Sequence, residues 1–155
     1  MLKFGPCLQI GIVTDNMEKS IKHYEMFGFT NWQKMPFDSD KLPGIIIDGG
    51  QGVLKSDIAV CNHEGLEIEL IQPISEGAFM DWLKEHGTGI HHIAFKKAGE
   101  YQEFMDEYDK LGSGNVIDVS DPTGTRGFTY LDTTKYLGFI TEIHRGEPGK
   151  PEDQE

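Results

Sequence analysis

The chain has 155 residues, with 26 acidic against 14 basic side chains and a formal net charge of −12, enough for one compact domain or two small modules sharing a core. That balance repels phosphate backbones and anionic membrane surfaces, which argues against nucleic-acid and membrane partners. The chain opens with no charged stretch leading into an apolar run and nowhere strings together about 18 apolar residues, so the sequence predicts no signal peptide, no membrane span and a cytoplasmic location.

In chain order, residues 8–13 alternate with period two and predict a strand with Leu8, Ile10 and Ile12 on one face. From Asn16 through Met17, Ile21, Tyr24 and Phe27 the apolar spacing is helical, with Asn16 placed to cap the start and Gly28 to end it. Residues 29–35 predict a second strand. Residues 36–52 collect Pro, Asp and Gly around Ile45, Ile46 and Ile47 and predict a long loop with an apolar tip. Residues 56–61 and 66–73 predict a hairpin turning on residues 62–65.

A short helix is predicted over residues 77–86, where Phe79, Trp82 and Leu83 recur at helical spacing before Gly87. The opening pattern then returns: a strand over 90–96, a helix through Tyr101, Phe104, Met105, Tyr108 and Leu111 ended by Gly112, and strands near 116–119, 127–131 and 137–144. Pro, Gly and charge fill the tail, which predicts disorder.

Strand, helix and three strands thus occur twice at an offset of about 83 residues, for example between Gln9 and His92. The expected organisation is a first βαβββ module over residues 1–76, a connecting helix over 77–88, a second βαβββ module over 89–145 and a disordered tail over 146–155. Each half alone would expose an apolar sheet face. The expected fold is therefore α+β, two tandem βαβββ repeats forming a curved, barrel-like mixed sheet around a metal cavity with the helices outside.

Side chains alternate across a strand, so the polar residues opposite each packing face converge. If Leu8, Ile10 and Ile12 pack outward against a helix, Gln9 and Gly11 face inward; if Leu66, Ile68 and Leu70 pack, Glu67 and Glu69 face inward. With His91, Ile93 and Phe95 packing, His92, Ala94 and Lys96 face inward, and with Phe139, Thr141 and Ile143 packing, Ile140, Glu142 and His144 do. Gln9, Glu69, His92 and Glu142 then form a hard-to-borderline donor set for one divalent metal ion, namely Mn, Co, Ni, Fe(II), Mg or Zn. Without an ion, two inward carboxylates would share a poorly solvated cavity. Glu67 is the alternative carboxylate. His144 reads as a strand-end surface histidine or a supporting ligand, and His23, His63 and His86 read as surface residues. Cys7 and Cys61 lie too far apart for a thiolate zinc site and read as reduced thiols.

The segments Gln9-Ile-Gly-Ile-Val-Thr-Asp-Asn, Ile68-Glu69-Leu-Ile-Gln-Pro, Gly89-Ile-His-His-Ile-Ala-Phe and Gly138-Phe-Ile-Thr-Glu-Ile resemble the vicinal oxygen chelate superfamily, also called the glyoxalase, bleomycin resistance and dioxygenase superfamily. The resemblance covers roughly residues 7–145, and the order from Glu69 to residues 91–95 is most similar to methylmalonyl-CoA epimerases. It implies the same four metal ligands and possible homodimers. Two departures stand out: Gln9 occupies a position where that family usually has histidine, and residues 51–56 offer no counterpart of its additional glutamate base.

Such a site is expected to bind a small substrate with two vicinal oxygens and to act as a lyase, isomerase or epimerase through an enediolate or enolate, with Glu142 or Glu69 as the base. Arg126, in a glycine-rich loop, and Lys96, at a strand end, are the candidate substrate-binding cations. The alternatives are a non-catalytic small-molecule or antibiotic-binding protein of the bleomycin-resistance type and, below it, an extradiol dioxygenase.

Overall fold

The computed structural model describes residues 1–146. Its strands are β1 (Phe4–Val13), β2 (Gln33–Asp38), β3 (Ile46–Ile47), β4 (Lys55–His63), β5 (Leu66–Pro73), β6 (Gly89–Lys97), β7 (Asn115–Ser120), β8 (Gly127–Leu131) and β9 (Ile140–His144); its helices are α1 (Met17–Glu25), α2 (Ala78–His86), α3 (Tyr101–Asp109) and α4 (Thr134–Leu137). All nine strands join one curled mixed sheet in the order β2-β4-β5-β1-β6-β9-β8-β7-β3.

The repeat is visible in the pairing. At the centre β1 and β6 run antiparallel, and each is flanked in parallel by the closing strand of its own half, β5 beside β1 and β9 beside β6. α1 starts where Asn16 accepts the Lys19 N–H at 3.0 Å and buries Met17 and Ile21 against Ile12, Ile68 and Leu70. α3 does the same in the second half, packing Phe104, Met105 and Tyr108 on Leu131 and Ile143. The packing faces inferred for β1, β5 and β9 are therefore the observed ones. A third cluster joins the halves beneath α2, with Val13, Ile71 and Phe79 meeting Ile117, Tyr130 and Ile140.

The β4–β5 hairpin turns on Glu64 and Gly65, whose φ of 53° and 88° is the left-handed pair that matches strand twist in a two-residue turn. Asn62 secures it by accepting the Gly65 N–H at 3.0 Å.

Three expectations change. The second strand lies at Gln33–Asp38 rather than 29–35, because Asn31 takes a positive φ of 61° and Phe29 leaves the strand line to pack edge-on against Tyr24. The 36–52 segment is not a simple loop. Its apolar stretch supplies β3, which pairs with β7 of the other half through Ile46 with Ser120 and Ile47 with Val119, and Ile47 is 4% exposed. Two paired residues carry no periodicity of their own, so only the distant partner reveals them. The last strand begins at Ile140, since residues 134–137 form α4 and Gly138 ends it at φ 82°. Apart from Gly146, the tail expected to be disordered lies outside the described residues. Among the described residues no helix is long and apolar enough to cross a membrane.

Candidate functional site

β1, β5, β6 and β9 are adjacent in the sheet, and each places one polar side chain on the concave face. Gln9 Oε1 lies 3.3 Å from His92 Nε2, Glu142 Oε2 3.1 Å from it and Glu69 Oε2 3.6 Å from it. His92 is fully buried and Glu142 is 4% exposed. The four residues singled out from strand parity therefore meet at one point, one nitrogen and three oxygens. Neither Glu69 Oε2 nor Glu142 Oε2 has a hydrogen-bond partner, although both are buried. Two buried carboxylate oxygens left without donors are costly.

Second contacts orient Gln9, His92 and Glu142. Gln9 Nε2 donates to Glu67 Oε1 at 2.6 Å; since a carboxylate takes only a donor, the amide oxygen is turned toward His92. Glu67 is thus the residue that aims Gln9. His92 Nδ1 lies 3.1 Å from His91 Nδ1, fixing the ring from behind and leaving Nε2 to the other three donors. His144 Nε2 stands 3.4 Å from Glu142 Oε1.

The electrostatics separate the two acids. Burial pushes Glu69 well above the usual carboxylate range, and the neighbouring Glu142 and Glu67 push it the same way. Burial also pushes Glu142 up, but the His144 and His92 imidazoles beside it hold it below the ordinary value. His91 is pushed down to about 3, by burial first and then by His92, and so stays neutral. Tyr130, whose ring centroid is 4.6 Å from that of His92, is raised well above 10 by burial and the two glutamates and keeps its proton.

A cavity of about 160 Å3 opens on this cluster, with Gln9, Glu69, Glu142, His144 and Tyr130 at its polar end and Phe37, Leu54, Ile58, Phe79 and Phe128 around the rest. Its size suits a small ligand. Neither Arg126 nor Lys96 lines it: both are exposed, and Arg126 stands in a turn where its N–H donates to Asp121 Oδ1 at 3.1 Å. β6 ends at Lys97, so Lys96 lies at the strand end, beyond the cavity.

Among the described residues no group of three or more His, Cys, Asp or Glu is already arranged to hold an ion. The donors are instead drawn together on His92 Nε2. Their 3.1–3.6 Å separations from that atom are nonetheless close to the roughly 3 Å between adjacent donors of an octahedral ion with bonds of about 2.1 Å. The orphaned carboxylate oxygens and the mixed N/O donor set fit a divalent cation chemically.

Sequence reading assigned His91 to the packing face, read His144 as a strand-end surface histidine or a supporting ligand, and passed over Tyr130; His144 lines the cavity beside Glu142. His91 does turn away from the cavity, but it packs among Phe79, Trp82 and Tyr130 and its ring still reaches His92. The His91-His92 doublet was the available signal for it. Nothing local marked Tyr130.

Residues 8–130 match the family model described as Glyoxalase/Bleomycin resistance protein/Dioxygenase superfamily. No curated protein matches the chain. Similar solved structures include a hypothetical protein of Bacillus halodurans C-125, 21% identical over 94% of this chain and 96% of that one with a TM-score of 0.62. A variant of Streptomyces coelicolor methylmalonyl-CoA epimerase in complex with 2-nitronate-propionyl-CoA is 17% identical over 96% of this chain and 99% of that one, with a TM-score of 0.64. Methylmalonyl-CoA epimerase from Mycobacterium tuberculosis is 14% identical over 94% and 90%, with a TM-score of 0.60. At these identities the likeness is one of fold.

Proposed function

The chain belongs to the glyoxalase/bleomycin resistance protein/dioxygenase superfamily, and on that footing we propose that it is a divalent-metal-dependent isomerase, epimerase or lyase acting on a small substrate with two neighbouring oxygens. The observation that carries this reading is the pair of buried, unpartnered carboxylate oxygens of Glu69 and Glu142 gathered on His92 Nε2. Gln9, Glu69, His92 and Glu142 would hold the ion, one of Mn, Co, Ni, Fe(II), Mg or Zn. When bound, it supplies Lewis-acid stabilisation of negative charge developing on the substrate oxygens.

The chain's own groups divide the remaining work. Glu69, whose Oε2 has no hydrogen bond of its own, would serve as the base if it loosens from the ion, taking the proton from the carbon beside the substrate carbonyl. Glu142, held low by His144 and His92 against its burial, remains a fixed negative charge. Tyr130 keeps its proton and can donate a hydrogen bond. Phe37, Leu54, Phe79 and Phe128 exclude water from the carbanion-like intermediate.

The test is elemental analysis of untagged protein purified without chelator, beside a Glu142→Ala variant. About one equivalent of a divalent first-row metal or magnesium, lost in the variant, is expected. Deuterium uptake next to the carbonyl of a dicarbonyl, hydroxy-ketone or thioester substrate in deuterated water should follow. Protein that takes up no metal from a titrated panel, yet binds a small ligand, would instead be a sequestering protein.

A further inference from the structure

The cavity facing the donor cluster has a neighbour. A second cavity of about 330 Å3 adjoins it, bounded by Ile47, Pro73, Ala78 and Ile117, and the two share Leu54, Ser56 and Phe79 in their walls. The inner cavity of about 160 Å3 holds a chelating head group of a few heavy atoms and little more. A larger ligand would have to extend between or displace the three side chains that the two walls share. At that neck Ser56 is 1% exposed, and its hydroxyl is buried without a hydrogen-bond partner. A buried hydroxyl with nothing to bond is unfavourable unless an occupant satisfies it.

Charge narrows the occupant further. The rim of the outer cavity carries Asp48 and Glu76, and the one cation in its lining, Lys55, is paired with Asp40 at 2.5 Å and Asp38 at 3.6 Å. A phosphate or carboxylate arm would meet Asp48, a Glu76 already paired with Lys84 at 2.7 Å and an already neutralised ammonium, so no free cation in the lining would attract it. Apart from Ser56, the buried part of the lining, Ile47, Leu54, Pro73, Phe79 and Ile117, is apolar.

We propose that the substrate is a two-part molecule, with an oxygen-chelating head in the inner cavity, an uncharged apolar arm in the outer one, and a polar atom where they join that hydrogen-bonds Ser56 Oγ. This rests on the chelating-site reading above. It assigns the 330 Å3 cavity a specificity role and makes Ser56 a positioning residue. It also separates this chain from enzymes whose substrates carry phosphorylated arms.

Alkyl hydroxamates test it, because they present two vicinal oxygens and allow the arm to be varied alone. Binding to the metal-loaded protein is measured by calorimetry for acetohydroxamate, hexanohydroxamate and the hydroxamate of succinic acid, whose arm ends in a carboxylate. Each buried methylene should tighten binding about fourfold, so hexanohydroxamate, with four more of them, should bind on the order of 250-fold better than acetohydroxamate. The carboxylate arm should gain nothing. Ala78→Trp and, at the exposed rim, Gln51→Trp should erase the advantage of the long arm and leave acetohydroxamate within about threefold of wild type. Ser56→Ala should weaken methoxyacetohydroxamate, whose ether oxygen stands where head and arm join, by about tenfold, and leave hexanohydroxamate within about threefold. A gain that is absent in the wild type, or that survives both tryptophans, overturns the arm assignment; an unchanged Ser56→Ala variant overturns the role of the hydroxyl. If acetohydroxamate shows no metal-dependent binding at all, the chelating site itself is wrong, which is a different result from equal binding of short and long arms.

Discussion

The imidazole of His92 lies so close over the Cα of Gly11 that a methyl group built there would stand 1.9 Å from Cε1 and 2.2 Å from Nε2. The two residues are register partners on β1 and β6, so neither strand can slide to make room. The glycine is what lets the ring turn Nε2 toward Gln9, Glu69 and Glu142.

Gly11→Ala should therefore displace the ring while the sheet still forms. Metal affinity is expected to fall about 10- to 100-fold, measured by metal titration beside a far-UV spectrum that stays native. Unchanged affinity would show that His92 is not a ligand.

Glu69 links metal removal to pH. Its folded pKa is raised above the ordinary 4.5, by burial, Glu142 and Glu67. The folded state thus holds a proton that the unfolded chain gives up, so the contribution of Glu69 to the metal-free protein is fully present below about pH 4.5 and is lost as pH rises through its raised folded pKa. Glu69→Gln should stabilise the metal-free protein at pH 8 by about 1–3 kcal/mol and flatten that loss. It should weaken the stabilisation that added metal gives the wild type. Urea unfolding with and without metal at pH 5 and pH 8 reads both effects, and a Glu69→Gln variant no more stable than wild type without metal would contradict the assignment.

His91 works in the opposite direction. Its folded pKa is depressed from 6.5 to about 3, by burial first and then by His92, so below pH 6.5 the unfolded chain binds a proton that the folded one refuses. Its contribution is constant above pH 6.5 and turns destabilising as pH falls toward 3, by up to about 1.4 kcal/mol per unit. Denaturation of metal-free wild type and His91→Gln at pH 7, 6 and 5 should show a shallower acid slope in the variant. Parallel slopes would mean that His91 titrates normally.

The β3–β7 pairing ties the first half to the second through Ile47, which packs with Val119 and Ile117 in the shared core. Ile47→Ala should cost about 2–5 kcal/mol. It should also open the outer cavity that Ile47 lines, raising proteolytic sensitivity between residues 38 and 54. A loss under 1 kcal/mol would show that this segment is not clasped to β7.

Much of the fold was legible because it is local and repeated. Period-two alternation placed β1 and β5, helical spacing with Asn16 and Gly28 placed α1, and recurrence of the pattern near His92 gave the two-half sheet. What escaped has a common cause. β3 is two residues long, its partner is β7, and the stretch before it looks like loop by composition. α4 is a single turn in a segment that reads as strand. Phe29 was drawn out of its expected strand by an aromatic contact with Tyr24 that a linear pattern does not encode.

The same division runs through the site. The sequence alone determined which side chains face inward, because alternation along a strand is a covalent property of the extended chain: Gln9, Glu69, His92 and Glu142 were named from it. Only the tertiary structure decided how those groups are supported. Glu67 aims the Gln9 amide across a register pairing of β1 with β5. His91 braces His92 because α2 and Tyr130 crowd it into place. Arg126 and Lys96 lie outside the cavity because loop direction and strand ends are set by packing. Parity is written residue by residue, whereas distance, burial and the splitting of two carboxylates arise only when segments far apart in the chain share one low-dielectric space.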